Sequence, residues 1–126
     1  VIQVDTESSE SLIDQLVRSI KQAVASGQLS PGQELPSARQ LSGDLDIHWN
    51  TVARAYRQLA SEGILFVAHG RKTCVRKGAL QSDTPKAEAI KNIQEGIRDI
   101  LTRARLAGVD FPAVSMLLKE EISAWK

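Results

Sequence analysis

The stretch from Leu35 to Leu59, LPSARQLSGDLDIHWNTVARAYRQL, constrains the fold of this chain more than any other. Its apolar residues form two helical sets separated by a very short break. Ala38, Leu41 and Leu45 follow at three- and four-residue steps, which lines them along one side of a helix. Ser37, preceded by Pro36, stands at the N-cap position, where its oxygen can accept an otherwise unbonded amide hydrogen. Val52, Ala55, Tyr56 and Leu59 repeat the helical spacing, and Tyr56 reads as core. Asp46-Ile47-His48 supplies the break, with Ile47 as an apolar plug. With both stripes inward, His48, Trp49, Asn50, Thr51 and Arg54 are left outward at the start of the second helix. An ordinary helical hairpin has this pattern too. A helix-turn-helix, however, needs hydrogen-bonding side chains at that end, where it faces the major groove. Asn can pair with adenine, Thr can meet a phosphate or a thymine methyl, and Arg favours guanine or phosphate. For Trp49 two orientations stay open, over sugar and base edges or folded back onto the core.

The flanking segments fit around this pair. Val1–Thr6 reads as a loosely held extended piece, and Ser8 or Ser9 can cap a helix running to about Ser26. Leu12, Ile13, Leu16, Val17, Ile20, Ala23 and Val24 give that helix one wide apolar stripe, and Gly27 stops it. Ser30-Pro31-Gly32 is a turn, and Gln33–Leu35 is compatible with a short strand. After the pair, Glu62-Gly63 turns the chain into an apolar strand, Ile64–Ala68. His69-Gly70-Arg71-Lys72 forms a hairpin tip, and Thr73–Arg76 returns. Basic residues at a hairpin tip can simply keep a sheet edge soluble. Beside a helix-turn-helix they read instead as a wing reaching phosphates or the minor groove.

A polar linker, Gly78–Asp83, leads to Thr84-Pro85, read as the cap and first turn of a helix extending to about Ala107. Ile90, Ile93, Ile97, Ile100, Leu101 and Ala104 make its stripe, and Gly108 ends it. Asp110-Phe111-Pro112 opens a last helix with Val114, Leu117, Leu118, Ile122 and Trp125 on its apolar side. A lone pair of helices leaves much of both stripes bare, which is the signature of an interface and predicts a homodimer. The alternative is a compact monomer with the stripe laid back on the long first helix.

Charge matters only once it is divided along the chain. The net charge is +1, but residues 1–35 carry two basic and five acidic side chains, a balance of −3. Residues 36–80 carry seven basic and three acidic ones, a balance of +4, and the remainder is neutral. Positive charge therefore collects on the helix pair and hairpin, the footprint of a polyanion binder. With 126 residues, 42% of them hydrophobic, the chain has room for one ordinary domain or a small one with an appendage. No apolar run reaches the length of a membrane span and no signal peptide is recognisable, so the cytoplasm is the expected compartment and no membrane partner is expected.

Catalysis has little to stand on. His48 and His69 fall in the turn and hairpin tip, where a binding role already accounts for them. The lone Cys74 lies in a strand with no suggested partner, and no P-loop, dinucleotide or H-E-x-x-H pattern occurs. No enzyme activity, cofactor or metal is expected. A winged-helix protein–protein adaptor is the stronger rival. An adaptor, however, has no need of Arg39, Arg54, Arg71 and Lys72 together.

Residues 10–77 resemble the winged-helix domain of the GntR family of bacterial transcription regulators. The resemblance is carried by IKQAVASGQLSPGQELPSARQLSGDL, NTVARAYRQLASEGIL and HGRKTCV. The short helical tail resembles the YtrA subfamily, whose members add only a small helical pair for dimerisation. The chain departs from the family pattern in three places. Asp46 stands where the turn usually holds glycine, His48-Trp49 where Ser-Arg or Asn-Pro is frequent, and Lys72 where a second wing glycine is usual. The resemblance implies a mainly α fold with a small β-wing, a winged helix-turn-helix over residues 1–80 followed by a two-helix dimerisation tail over 84–126. It further implies a regulator, acting as a repressor, that binds double-stranded DNA as a homodimer on an inverted repeat. Arg39 would then touch DNA from the first helix of the pair. His48, Trp49, Asn50 and Thr51 would lie at the major groove, and His69, Gly70 and Arg71 at the wing tip. A small-molecule effector held between protomers is left open, since no polar cluster in the tail marks one.

Overall fold

The computed structural model describes residues 2–67 and 72–125, and the chain divides into two compact units, 1–81 and 82–126. In the first, helix α1 spans Leu12–Ala25. Its cap is Ser11, whose hydroxyl accepts the Asp14 amide hydrogen, and neither Ser8 nor Ser9 serves. Those earlier serines lie in a turn, and the start of the helix is fixed instead by Gln15. This buried side chain accepts the Asp5 amide hydrogen at 2.6 Å and donates to the carbonyls of Asp5 and Glu10 at 3.0 and 2.9 Å. The segment before α1 is therefore tied down rather than loosely held, with Ile2 and Val4 packed on the core.

Helix α2 spans Ala38–Leu45 and α3 spans Trp49–Ser61. Leu16 and Ile20 of α1 meet Val52, Ala55, Tyr56 and Leu59 of α3 in one buried cluster, joined by Leu41 of α2. Ala38, Leu45 and Ile47 pack against that cluster while staying half-buried. The α2–α3 turn is made by Asp46, the single described non-glycine residue in the left-handed region, with φ +56°. There the Ser42 carbonyl accepts the Ile47 amide hydrogen at 3.0 Å. Glycine is the usual residue at such a bend, and Asp is among the few others that tolerate it. Gly63, at φ +79°, ends α3 in the same way.

Strands β1, Leu65–Val67, and β2, Thr73–Val75, pair antiparallel with Leu65 opposite Val75 and Phe66 opposite Cys74. Glu34 bridges to Cys74 on the far side of β2. There Leu35 donates to the Thr73 carbonyl and Val75 to the Gln33 carbonyl, both at 2.8 Å. Leu35, Leu65, Thr73 and Val75 face the core, while Phe66 is exposed, so the hairpin closes the open side of the helix cluster.

In the second unit, α4 spans Lys86–Leu106 and α5 spans Phe111–Trp125. Pro85, with no side-chain hydrogen bond, occupies the α4 cap position expected for Thr84, and the Thr84 amide turns back to Ser82 Oγ. Gly108, at φ +76°, turns the chain, and the Val109 and Gly108 amides close onto the carbonyls of Ala104 and Arg105. Asp110 then caps α5 by accepting the Ala113 amide hydrogen at 3.0 Å. Ile90, Ile93, Ile97 and Ile100 remain between 45% and 61% exposed along α4, and Leu117, Leu118, Ile122 and Trp125 are likewise exposed on α5. Among the described residues no helix is long and apolar enough to cross a membrane.

Candidate nucleic-acid interface

The first turns of α2 and α3 converge, and local chemistry fixes both. Ser37 Oγ accepts the Gln40 amide hydrogen at 3.1 Å while Gln40 Oε1 accepts the Ser37 amide hydrogen at 3.0 Å, a reciprocal cap that sets where α2 begins. The S-x-x-Q spacing that signals this cap is present in the sequence at Ser37–Gln40. Tyr56 adds a tertiary tie. Its phenol, 3% exposed, donates to the Pro36 carbonyl at 2.7 Å and so links the middle of α3 to the approach to α2. Burial pushes the Tyr56 phenol up to about 12, so it stays a neutral donor at physiological pH.

At the start of α3, His48 is the N-cap residue, and its Nδ1 accepts the Asn50 amide hydrogen at 3.1 Å. That bond requires Nδ1 to be unprotonated, which leaves Nε2–H directed elsewhere as a donor. Trp49 is 46% exposed and so stands outside the core. Its ring stacks beside His48 with centroids 6.0 Å apart, and the Arg39 guanidinium lies over it, 5.5 Å from the centroid. Arg39, His48 and Trp49 thus form one continuous surface feature spanning two helices.

Asn50 and Arg54 are exposed, and no described residue hydrogen-bonds either side chain. Thr51 is half-buried, less outward than its place in the sequence pattern suggests. Lys72 is exposed and pairs with Glu34 at 3.2 Å, a contact that water screens at this level of exposure. His69, Gly70 and Arg71 lie outside the described residues. Among the described residues no carboxylate lies within ion-pair distance of Arg39 or Arg54, so both keep their hydrogen-bonding capacity for an external acceptor.

Residues 12–75 match the model of the GntR family of bacterial regulatory proteins. The chain belongs to the GntR family. Its similarity to the HTH-type transcriptional repressor YtrA of Bacillus subtilis, 31% identity over 120 residues, covers 95% of this chain and 91% of that repressor, tail included. A solved YtrA from Sulfolobus acidocaldarius, described as a GntR-family transcription factor, is 30% identical with a TM-score of 0.58, covering 84% of this chain and 98% of that one. The structure of AraR(DBD) in complex with operator ORE1 superposes with a TM-score of 0.51 at 23% identity, covering 60% and 92%. GntR membership accounts for the winged helix-turn-helix and places this chain in a family of bacterial regulatory proteins.

Proposed function

We propose that this GntR-family protein is a transcriptional repressor that binds an inverted-repeat operator as a homodimer, with residues 1–80 reading DNA and residues 84–126 joining the protomers. The observation that carries the reading is the outward-facing cluster at the first turns of α2 and α3. Arg39, His48, Asn50 and Arg54 there offer donors that no described carboxylate neutralises. Thr51 at the same turn and Lys72, together with His69, Gly70 and Arg71 of the wing sequence, would extend the contact to the backbone. The operator complex of AraR supports a DNA-facing role for a domain of this fold.

Dimerisation is supported by the isoleucine stripe of α4. Four half-exposed isoleucines at helical spacing form an apolar strip that water disfavours, and a second copy of the same strip is its simplest cover. Two linked winged helices then gain affinity through effective concentration, because a single one spans few base pairs. The test is selection of bound sites from random duplexes with the full chain, together with sedimentation at micromolar concentration. A palindromic consensus and a dimer are expected. No enriched sequence would refute DNA reading, and a monomer bound to a single half-site would refute the role of the tail.

A further inference from the structure

The contact between Arg39 and Trp49 joins two helices through groups that are both exposed. Arg39 lies in the first turn of α2 and Trp49 is the first residue of α3. The guanidinium sits 5.5 Å from the ring centroid. The indole is held in turn, stacked beside His48, whose own ring is fixed by the capping bond from the Asn50 amide. A guanidinium uses its face to meet an aromatic ring and its edge to donate hydrogen bonds, so the two do not compete. A face-on contact of this kind would restrict Arg39 while leaving its edge N–H groups free to donate.

We infer that Trp49 is a positioning residue for sequence reading: its indole holds the Arg39 guanidinium so that the edge donors meet guanine O6 and N7, which makes α2 and α3 one coupled reading unit. The inference rests on the proposal above that this face meets DNA. It assigns Trp49 a role distinct from a contact of its own. An arginine free in water loses rotamer entropy when it binds a base, and one already held against a ring loses less. Excluding water from the pair on DNA binding strengthens the cation–π contact further. An indole is also the aromatic group that holds a cation best, so Phe in its place should serve less well.

The test uses the full chain and a duplex site selected from random sequences, with each base pair replaced in turn. Binding is measured for the unaltered protein, Arg39→Ala, Trp49→Ala, the double variant and Trp49→Phe. Arg39→Ala should flatten the preference at one G·C pair. Trp49→Ala should flatten the preference at that same pair and weaken binding by about three- to tenfold. The double variant should bind no more weakly than Arg39→Ala alone, and Trp49→Phe should restore part of the loss. Because Phe retains a ring at the site, it also carries the test should Trp49→Ala fail to fold. An equal loss from Trp49→Ala in the presence and absence of Arg39 would overturn the inference, as would loss of preference at a different base pair. If Arg39→Ala alters no preference, the reading unit is elsewhere and the inference falls while DNA binding stands. If the unaltered chain selects no sequence at all, the proposed function itself fails.

Discussion

Tyr56→Phe removes one oxygen and tests how α3 is fastened to the approach to α2. In the folded protein the phenol donates to the Pro36 carbonyl at 2.7 Å, and Tyr56 is 3% exposed. A neutral hydrogen bond of this kind contributes about 1 kcal/mol net. Stranding a fully buried carbonyl would raise the loss toward about 3 kcal/mol, but Pro36 is half-buried and water can reach it. The expected loss is therefore about 1 kcal/mol, which for a unit of this size lowers Tm by about 4–8 °C. The pH dependence reports a second property of the same side chain, its burial. Burial pushes the phenol up to about 12, whereas in the unfolded chain it titrates near its ordinary value of about 10. The folded state therefore keeps a proton that the unfolded state releases between those values. Stability from this site is complete below pH 10 and declines as pH rises toward 12. Urea titrations of both proteins at pH 7 and at steps above pH 9 measure both effects. Tyr56→Phe should be less stable at neutral pH and lose less stability on going to alkaline pH. Equal stability at pH 7 would refute the tie between Tyr56 and Pro36, and an equal alkaline decline would refute the burial of the phenol.

Gln15→Ala strands the Asp5 amide and two carbonyls, so it should cost about 1–3 kcal/mol in urea titration and speed hydrogen exchange at Asp5; no change would mean that Ile2 and Val4 hold the segment alone. Asp46→Val forces a β-branched side chain into the left-handed region and should lose about 1–2 kcal/mol, while Asp46→Gly should match or exceed the parent; a Val variant of undiminished Tm would contradict the bend. Arg54→Ala should weaken DNA binding across all sequences and reduce the slope of log affinity against log salt by about 1, measured by titration at several salt concentrations. An unchanged slope would remove Arg54 from the phosphate contacts.

Much of the fold could be read from apolar spacing because burial is what that spacing records. Val52, Ala55, Tyr56 and Leu59 were expected in the core and are all buried there. The bend at Asp46 was expected too, since so few residues separate the two stripes. Gln15 escaped because a polar residue within an apolar stripe looks like surface, and its partners are backbone groups up to ten residues earlier. Its hold on the Glu10 carbonyl also explains the misplaced start of α1. Ser8, Ser9 and Ser11 are all residues of capping type, and the helix begins at the one whose hydroxyl accepts the Asp14 amide hydrogen, Ser11. The same holds for Trp49, whose two orientations sequence could not separate. In the structure it stands outward with Arg39, on a different helix, over its ring. Thr51 shows the limit of a face read from period alone: one residue before Val52, it lies on the border of the stripe and is half-covered.

The charge distribution and the tail bear on one another. A net charge of +1 gives the whole chain little general attraction to a polyanion, since the +4 of residues 36–80 is set against −3 in residues 1–35. At the start of α3, moreover, an indole stands where the family often carries a charged arginine. Each such exchange weakens sequence-independent phosphate attraction, which is the main source of binding to random DNA. It leaves untouched, or strengthens, the contacts that distinguish one base pair from another. Under the proposed function, a protein arranged in this way would lose little to competing genomic sites but would hold a single half-site weakly. The remedy that adds affinity without adding charge is a second reading unit on the same molecule, which multiplies specific contacts through effective concentration. The isoleucine strip of α4 offers a means to that end, being apolar and long enough to join two copies. If the proposed dimer reads two half-sites, the low net charge of the whole chain and the exposed isoleucines of α4 act together, and replacing those isoleucines should abolish operator binding without altering the proposed DNA-facing side chains.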